Sequence, residues 1–279
     1  MSDRFVKNKG LIYTIKDGVE FIQFSNLKKY ENIINHAFTT RHGGVSKNEY
    51  ESLNMSFAKK DEKENVWENY KRVANALEIS MEDMVFSDQI HENEIRVVEN
   101  GDRGKGILKK SDIRGCDGLV TNQKNTALVT FYADCVPVFL FDPVETVIGV
   151  VHSGWRGTAK QISRNAVRKM RDVFFCKPQN ILAAIGPSIG RGCFEVGDEV
   201  FESFQNNVDY SAKYCKRVDQ RWHIDLPAII KRGLIEEGMR IENIVLCDVC
   251  TQCNRDMFFS HRGDKGQTGI SAGIMVING

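Results

Sequence analysis

Hydrophobic and polar residues alternate along residues 10–24, which indicates two β-strands. The pair Asp17-Gly18 divides this stretch, and an Asp-Gly pair in such a position predicts the tight turn of a β-hairpin. Residues 62–79 follow a helical period instead, with acidic residues in the first turn. The apolar face of this predicted helix consists of Val66, Tyr70, Val73 and Leu77.

Three segments with the composition of buried strands occupy the middle of the chain, at residues 126–132, 136–141 and 146–151. A helix is predicted to begin near Thr158, and its apolar face would contain Ile162, Ala166, Val167 and Met170. Shorter patterns predict strands at 94–98, 181–185, 244–247 and 274–277, helices at 197–206 and 225–237, and a loop at 99–114. Because strands and helices do not alternate regularly, the pattern favours a layered α/β or α+β fold with mixed sheets over a TIM barrel. No repeat or linker divides the chain, so residues 1–279 are expected to form a single domain.

The charge balance excludes two classes of protein. Lys and Arg number 38 against 37 Asp and Glu, so the net charge of +1 argues against a basic nucleic-acid module or an acidic tail. The first ten residues lack the apolar region of a signal peptide, and no apolar segment is long enough to span a bilayer. We therefore expect a cytoplasmic protein whose eight cysteines are thiols or metal ligands rather than disulfides.

Two histidines and a cysteine lie at the ends of apolar segments. His91 follows the polar stretch 87–89, Cys135 precedes one predicted strand, and His152 follows another. Strand ends can converge at one edge of a sheet, and two imidazoles with one thiolate suit zinc or copper. Three protein ligands would leave the fourth position of zinc open for water, as in catalytic zinc sites. The alternative is a buried thiol and two hydrogen-bonded core histidines with no metal.

Three polar loops contain arginines that could bind an anion. In the segment 152–158, Gly154 and Gly157 would let the backbone of a helix start approach a ligand beside Arg156. The other two loops contain Arg41-His42 and Arg262. Each of these patterns is also found in ordinary turns whose arginines lie in solvent.

Cys247, Cys250 and Cys253 have the spacing C-x2-C-x2-C, which resembles the spacing of iron–sulfur ligands. No fourth cysteine follows at a familiar interval, and Cys247 ends an apolar segment, where buried thiols are common. Because a fourth ligand is missing and Cys247 is expected to be buried, we predict that the three thiols hold no metal.

The motifs taken together resemble a known family. Their order is T-T-R-H-G-G-V-S, S-L-N, D-Q-I-H, A-D-C-V-P-V, H-S-G-W-R-G-T, G-P-S-I-G, C-F-E-V-G and F-F-S-H-R, over about residues 36–270. This order is similar to the bacterial YlmD/YfiH family, also called the laccase-domain or polyphenol oxidase family, and the pairing of A-D-C-x-P-V with H-S-G-W-R-G-T is highly specific. Two positions depart from the family pattern: Glu92 replaces a glycine, and Gly263 replaces an arginine.

The resemblance implies a zinc site formed by His91, Cys135 and His152. It implies an α/β/β/α sandwich related to bacterial toxin cysteine deamidases, with phosphorolysis of adenosine, inosine, guanosine and methylthioadenosine and deamination of adenosine. Copper-dependent phenol oxidation and peptidoglycan editing are further roles of the family. In the matching motifs, the candidate phosphate ligands are Arg41, Arg156 and Arg262, and the candidate proton carriers are Asp134 and His42.

The histidine count helps to choose among these activities. A multicopper oxidase combines a mononuclear centre with a trinuclear cluster, which takes more histidines than the six of this chain, and no His-x-His pair occurs. Zinc with an open position suits addition of water at C6 of adenine, although one copper ion could occupy the same ligands. Two alternatives stay open: an amide hydrolase of peptidoglycan precursors, in which His152 activates Cys135, and a binding protein with a structural metal. The sequence determines neither the preferred nucleoside nor the oligomeric state.

Overall fold

The computed structural model describes residues 10–279, and most of its strands form two six-stranded mixed sheets. The first sheet has the order β1-β2-β3-β15-β7-β4 and consists of β1 (Leu11–Lys16), β2 (Val19–Phe24), β3 (Ile34–Thr39), β4 (Met84–Phe86), β7 (Ala127–Tyr132) and β15 (Ser271–Ile277). The second has the order β14-β10-β8-β9-β6-β5 and consists of β5 (Ile95–Val97), β6 (Gly118–Thr121), β8 (Val136–Asp142), β9 (Val147–Ser153), β10 (Leu182–Ile185) and β14 (Ile244–Leu246). A small antiparallel sheet contains β11 (Glu195–Val196), β12 (Cys215–Val218) and β13 (Arg221–Ile224).

The helices are α1 (Ser25–Lys28), α2 (Lys63–Leu77), α3 (Trp155–Ala159), α4 (Ile162–Phe174), α5 (Asp198–Asn207) and α6 (Leu226–Glu236). The longer helices α2, α4, α5 and α6 cover the outer faces of the two large sheets, whereas α1 contacts strands of both sheets. One apolar cluster lies between α2 and the first sheet, a second between the sheets, and a third between the second sheet and α4, α5 and α6. The order helix, sheet, sheet, helix confirms the predicted α/β/β/α sandwich. No helix within residues 10–279 is both long and apolar enough to cross a membrane.

The complete burial of β8 and β9 explains why their sequences are continuously apolar. Both strands lie in the interior of the second sheet, so one face packs against the first sheet and the other against helices. The alternating hairpin is also confirmed, because β1 and β2 pair around a turn in which Asp17 and Gly18 have φ angles of 51° and 77°. Positive φ at both central residues is the geometry that an Asp-Gly pair adopts at low cost.

The helix predicted near Thr158 differs from the structure in its boundaries. The chain enters a helix three residues earlier, at Trp155, and Gln161 interrupts it with a left-handed φ of 58° before α4 begins at Ile162. His152 also lies within β9 rather than after it. The remaining predicted helices and strands are confirmed, with shifts of a few residues at their ends.

Several elements were not predicted because their patterns are short or interrupted by polar residues. In β3, His36 is 1% exposed, and its Nε2 accepts a hydrogen bond of 2.8 Å from the backbone N–H of Phe24. A partnered histidine is therefore part of the core, although it weakens the apolar pattern. β4 and β6 contain only three and four residues, and neither shows an alternating pattern that would mark it as a strand.

Candidate active site

Antiparallel pairing in the second sheet brings Cys135 and His152 together. The register of β8 and β9 places Pro137 opposite His152, so Cys135, just before β8, lies at the same edge of the sheet. His91 reaches this edge from the loop between β4 and β5, with a left-handed φ of 63°. The nitrogen and sulfur atoms that these three residues offer as ligands all lie within 4.8 Å of one another.

The buried carboxylate of Asp117 holds both histidines in place. Its Oδ1 accepts hydrogen bonds from Nδ1 of His152 at 2.8 Å and from the backbone N–H of His91 at 2.9 Å. Its Oδ2 accepts the backbone N–H groups of Ile90 and Glu92, both at 3.0 Å. One side chain therefore orients the imidazole of His152 and fixes the unusual loop conformation that presents His91.

The electrostatic environment favours ionised partners within this cluster. Burial opposes ionisation of Cys135, but the charge of His152 and hydrogen bonds from His152 and His91 outweigh it, so the pKa of the thiol is lowered. Burial likewise opposes protonation of His152, but the pKa of the imidazole is raised by the charge of Cys135 and by its hydrogen bond to Asp117. A thiol that ionises readily is both a better metal ligand and a better nucleophile.

The donor set and its surroundings fit one metal ion. Two imidazoles and a thiolate are zinc or copper ligands, and the carboxylate on Nδ1 of His152 is the usual second partner of a ligating histidine. Gly154 keeps the space beside them open: a Cβ at this position would lie 3.1 Å from Cδ2 of His91 and 3.2 Å from Sγ of Cys135. The same residues do not fit a multicopper cluster, because the other histidines of the chain are separate from this group.

A cavity of about 750 Å³ opens beside the cluster. Its walls include His91, Cys135 and His152, together with the aromatic side chains of Phe57, Phe86, Phe131, Tyr132, Trp155 and Phe194. Polar groups at the cavity come from Lys59, Asp88, Gln89, Asp134, His261 and Arg262. A mostly apolar cavity with a few polar groups is typical of a small-molecule site.

Asp134 lines the cavity, but its carboxylate is fully engaged in holding neighbouring loops. Oδ1 accepts hydrogen bonds from the hydroxyls of Thr251 at 2.6 Å and Ser260 at 2.7 Å, and Oδ2 accepts the backbone N–H of Arg262 at 2.6 Å. Asp134 therefore positions the segment that carries Arg262. Nη1 of Arg262 donates to the carbonyl oxygen of Glu195 at 3.0 Å, which fixes the guanidinium on the cavity wall.

Three predicted site residues do not line this cavity. Arg41 donates to the carbonyl oxygens of Glu51 at 2.9 Å and Arg255 at 2.8 Å, which ties loops together. His42 lies 2.5 Å from the carbonyl oxygen of Asp256. Arg156 is exposed and stacks over the ring of Trp155, 4.3 Å from its centroid. The roles in catalysis or phosphate binding inferred for these three from the sequence stay predictions.

Asp117, which organises the cluster, carries no sequence signal that marks it as a site residue. Asp117 precedes β6 in Cys116-Asp117-Gly118, a sequence with no recognisable metal spacing. Lys59 also lines the cavity, but it lies in a polar loop and belongs to no motif that would distinguish it from a surface lysine. Only the pairing of β6 with β9, which sets Gly118 opposite Val151, shows that Asp117 neighbours His152.

Comparisons with known proteins agree with this architecture. The family described as "Multi-copper polyphenol oxidoreductase laccase" matches residues 35–278. The chain is 36% identical over 236 residues to "Purine nucleoside phosphorylase YlmD" of Bacillus subtilis, covering 83% of this chain and 84% of that protein. It is 32% identical over 257 residues to a "Purine nucleoside phosphorylase" of Bacteroides thetaiotaomicron, covering 91% of this chain and 95% of that protein.

Solved structures show the same fold. The structure of YlmD from Geobacillus stearothermophilus superposes with a TM-score of 0.90 at 30% identity, over 96% of this chain and all of that one (100%). The Bacillus licheniformis hypothetical protein YfiH gives a TM-score of 0.89 at 31% identity, over 95% of this chain and 99% of that one. The chain therefore belongs to the multi-copper polyphenol oxidoreductase laccase family, together with the YlmD and YfiH proteins.

Proposed function

We propose that this protein is a zinc-dependent purine nucleoside enzyme that catalyses phosphorolysis of nucleosides and deamination of adenosine. The observation that carries the proposal is the convergence of His91, Cys135 and His152 in the wall of a largely aromatic cavity. Relatives that cover most of the chain are named purine nucleoside phosphorylases, which supports the substrate class. Adenosine, inosine, guanosine and methylthioadenosine are the proposed nucleosides.

His91, Cys135 and His152 are the proposed zinc ligands, with copper as the alternative metal. When bound, zinc would supply a Lewis acid that activates water for addition at C6 of adenine. Asp117 keeps the proton of His152 on Nδ1, so that Nε2 is the nitrogen available to the metal. That proton position also keeps the ring in one orientation through the reaction.

The aromatic walls of the cavity would bind the purine. Phe57, Phe131 and Trp155 line the cavity, and a purine has an apolar π-face that aromatic rings bind by stacking. Gln89 is held by the pairing of its Oε1 with the backbone N–H of Phe131 at 2.7 Å. The rigid wall thus formed would orient the base with respect to the ligand cluster.

Arg262 is the proposed phosphate ligand, because it is the arginine of the three candidates that lines the cavity. Phosphorolysis forms a bond from a phosphate oxygen to C1′ of the ribose and breaks the bond from C1′ to the purine nitrogen, which leaves with a proton. Positive charge develops on the ribose in this step, and a bound phosphate beside it stabilises that charge. Asp134 acts here as a positioning residue, since it holds the backbone of Arg262.

One observation supports a second candidate, a cysteine hydrolase acting on amides such as those of peptidoglycan precursors. Cys135, His152 and Asp117 form the nucleophile, base and orienting carboxylate of such an enzyme. A metal on the thiolate would block this chemistry. Protein that contains metal at this cluster should therefore show no hydrolase activity, and protein with hydrolase activity should contain no metal there.

Products of adenosine test the proposal. With phosphate, the protein should release adenine and ribose 1-phosphate; without phosphate, only inosine and ammonia should form. Cys135→Ala should lose both activities, whereas Cys176→Ala, which removes a buried thiol elsewhere in the core, should keep both. If metal-loaded wild-type protein forms none of these products, the proposed function is wrong, and release of ammonia or an amine from a peptide amide would support the hydrolase.

A further inference from the structure

A second group of three metal-ligating side chains lies outside the His91 cluster. The Sγ atoms of Cys193, Cys250 and Cys253 all lie within 4.8 Å of one another. Cys247, which the sequence spacing had grouped with Cys250 and Cys253, is 2% exposed and packs in the core between the sheets. The third member of the group is therefore Cys193 and not Cys247, although Cys193 lies about sixty positions before the other two.

Two turns carry these cysteines and are joined by backbone hydrogen bonds. Cys193 ends a turn in which its N–H donates to the carbonyl oxygen of Gly190 at 2.9 Å. Cys250 and Cys253 lie in a second turn, and the C-x2-C spacing between them is the spacing of ligand pairs in structural zinc sites. The N–H of Thr251 donates to the carbonyl oxygen of Ser188 at 3.0 Å, which connects the two turns.

The spacing of the sulfur atoms fits a shared metal ion better than a disulfide. A disulfide joins two sulfur atoms at about 2.05 Å, whereas Sγ of Cys193 and Sγ of Cys253 are 3.4 Å apart. Thiolates on tetrahedral zinc, at about 2.3 Å from the metal, lie about 3.8 Å from one another. The separation of 3.4 Å between Cys193 and Cys253 is close to that value, and Sγ of Cys250 lies within 4.8 Å of both. A disulfide would also leave the third converging thiol without a partner.

One backbone N–H group is placed to stabilise a thiolate at Cys250. The N–H of Gly190 donates to Sγ of Cys250 at 3.2 Å, and such a bond stabilises a thiolate. Glycine favours this approach, since a Cβ at position 190 would lie 3.1 Å from Cβ and 3.4 Å from Sγ of Cys250, which is closer than an ordinary contact. This hydrogen bond is a second observation, independent of the clustering, that points to a ligated sulfur.

We propose that Cys193, Cys250 and Cys253 bind a second zinc ion as thiolates. Each thiol loses its proton to solvent on binding, so three protons are released and the site carries one net negative charge. Cys253 is exposed, which leaves the fourth zinc position accessible to water. This proposal departs from the expectation drawn from the sequence, because that expectation rested on the C-x2-C-x2-C spacing and did not include Cys193.

The second metal would fasten two walls of the active-site cavity to each other. The turn that contains Cys193 is flanked by Ile189 and Phe194, and the segment after Cys253 carries Arg262; all three line the cavity. Nη1 of Arg262 also lies 3.4 Å from the carbonyl oxygen of Cys193. Zinc at the cysteines would therefore restrain the wall that presents this guanidinium.

Cobalt titration of the reduced, metal-free full-length protein tests the proposal, since Co²⁺ occupies zinc sites and absorbs strongly when bound to thiolates. Wild-type protein should bind two Co²⁺ per chain. In Cys135→Ala, one Co²⁺ should remain, with the near-ultraviolet absorption of several thiolate ligands. Cys250→Ser should bind one Co²⁺ fewer than wild type and lose that absorption. Cys253→Ser should do the same, and because its thiol is exposed the substitution leaves the core unchanged.

Cys215→Ser is the matched control, because it removes another half-buried thiol but should retain both metal ions. A wild-type endpoint of one Co²⁺ that falls to zero in Cys135→Ala would overturn the second site. The same conclusion would follow if Cys250→Ser and Cys253→Ser kept the wild-type endpoint, or if protein purified without air contained a disulfide between Cys193 and Cys253. None of these readouts depends on nucleoside turnover, so the test is separate from that of the proposed function.

Discussion

The carboxylate of Asp117 and the imidazole of His152 form a hydrogen bond of 2.8 Å in the interior of the protein, where their side chains are 0% and 2% exposed. In such surroundings a carboxylate is costly unless it is fully hydrogen-bonded, and Asp117 meets this condition with three backbone N–H groups in addition to His152. Burial opposes ionisation of Asp117, yet these bonds outweigh it and lower its pKa. The carboxylate of Asp117 therefore stays ionised and keeps a proton on Nδ1 of His152.

Replacing Asp117 by Asn should weaken metal binding about ten- to a hundredfold, as is usual for the partner of a ligating histidine. The amide nitrogen of Asn would face backbone N–H groups that now donate to a carboxylate oxygen. Competition with a chelator measures the affinity. Asp142→Asn is the control, because Asp142 is equally buried and accepts backbone N–H groups at the other end of β8. Equal affinities in wild type and Asp117→Asn would contradict the role of Asp117.

Cys135→Ala should remove one metal equivalent per chain from the purified protein, because the thiolate is the most negative ligand of the cluster. Elemental analysis of the variant and of wild type gives the difference. Cys176→Ala, a substitution of a thiol that is 1% exposed and far from the cluster in sequence, should keep the wild-type content. Retention of the full metal content by Cys135→Ala would exclude the proposed ligand set.

Gly154→Ala should lower the affinity of the His91 cluster for metal without unfolding the protein. Gly154 has an ordinary φ of −68°, so the backbone accepts alanine. The new Cβ would nevertheless lie 3.1–3.2 Å from His91 and Cys135, and these side chains must move apart by a few tenths of an ångström. Chelator competition and thermal unfolding should show weaker metal binding with a nearly unchanged metal-free midpoint. If this variant binds metal as tightly as wild type, the cluster can accommodate the added methyl group and the prediction is wrong.

Arg262→Ala should reduce phosphorolysis about ten- to a hundredfold, because a hydrogen bond to a charged group contributes about 1.5–3 kcal/mol. Deamination needs no phosphate and should change less. Rates of adenine and inosine formation from adenosine measure the two activities in one sample. Arg156→Ala tests the other candidate: Arg156 lies outside the cavity lining, so its loss should leave the ratio of the activities unchanged. A selective loss of phosphorolysis in Arg156→Ala would instead identify Arg156 as the phosphate ligand.

His36 should make the protein less stable as the pH falls. Burial, with a smaller effect from the charge of Lys28, lowers the pKa of His36 to about 3, whereas an unfolded histidine has a pKa of about 6.5. Between these values the unfolded state binds one more proton, so the free energy of unfolding should fall by up to about 1.4 kcal/mol per pH unit. His36→Gln keeps a side-chain acceptor for the N–H of Phe24 but cannot take up this proton. In urea unfolding between about pH 6 and about pH 4, which lie inside that window, its free energy of unfolding should therefore fall less steeply than that of wild type. Parallel slopes in the two proteins would refute it.

Periodicity was sufficient to predict the long elements. The apolar run of β8, the helical spacing of α2 and the Asp17-Gly18 turn each follow from contacts between near neighbours in the chain, and the structure confirms them. For the layers, periodicity predicted only a layered fold with mixed sheets. The four-layer α/β/β/α arrangement was predicted by the resemblance of the motifs to a known family. β3 escaped prediction because its buried His36 is satisfied by a backbone group of another strand.

The sequence by itself identified His91, Cys135 and His152 as candidate metal ligands, because softness, charge and position at strand ends belong to the residues and their local pattern. Only the tertiary structure decided what surrounds them. The pairing of β6 with β9 brings Asp117 to His152, and the packing of two distant turns assembles Cys193 with Cys250 and leaves Cys247 in the core. These contacts join residues 35 to about 60 positions apart in the chain, and such a pairing is fixed by strand register and packing, which no local pattern of hydrophobic and polar residues records.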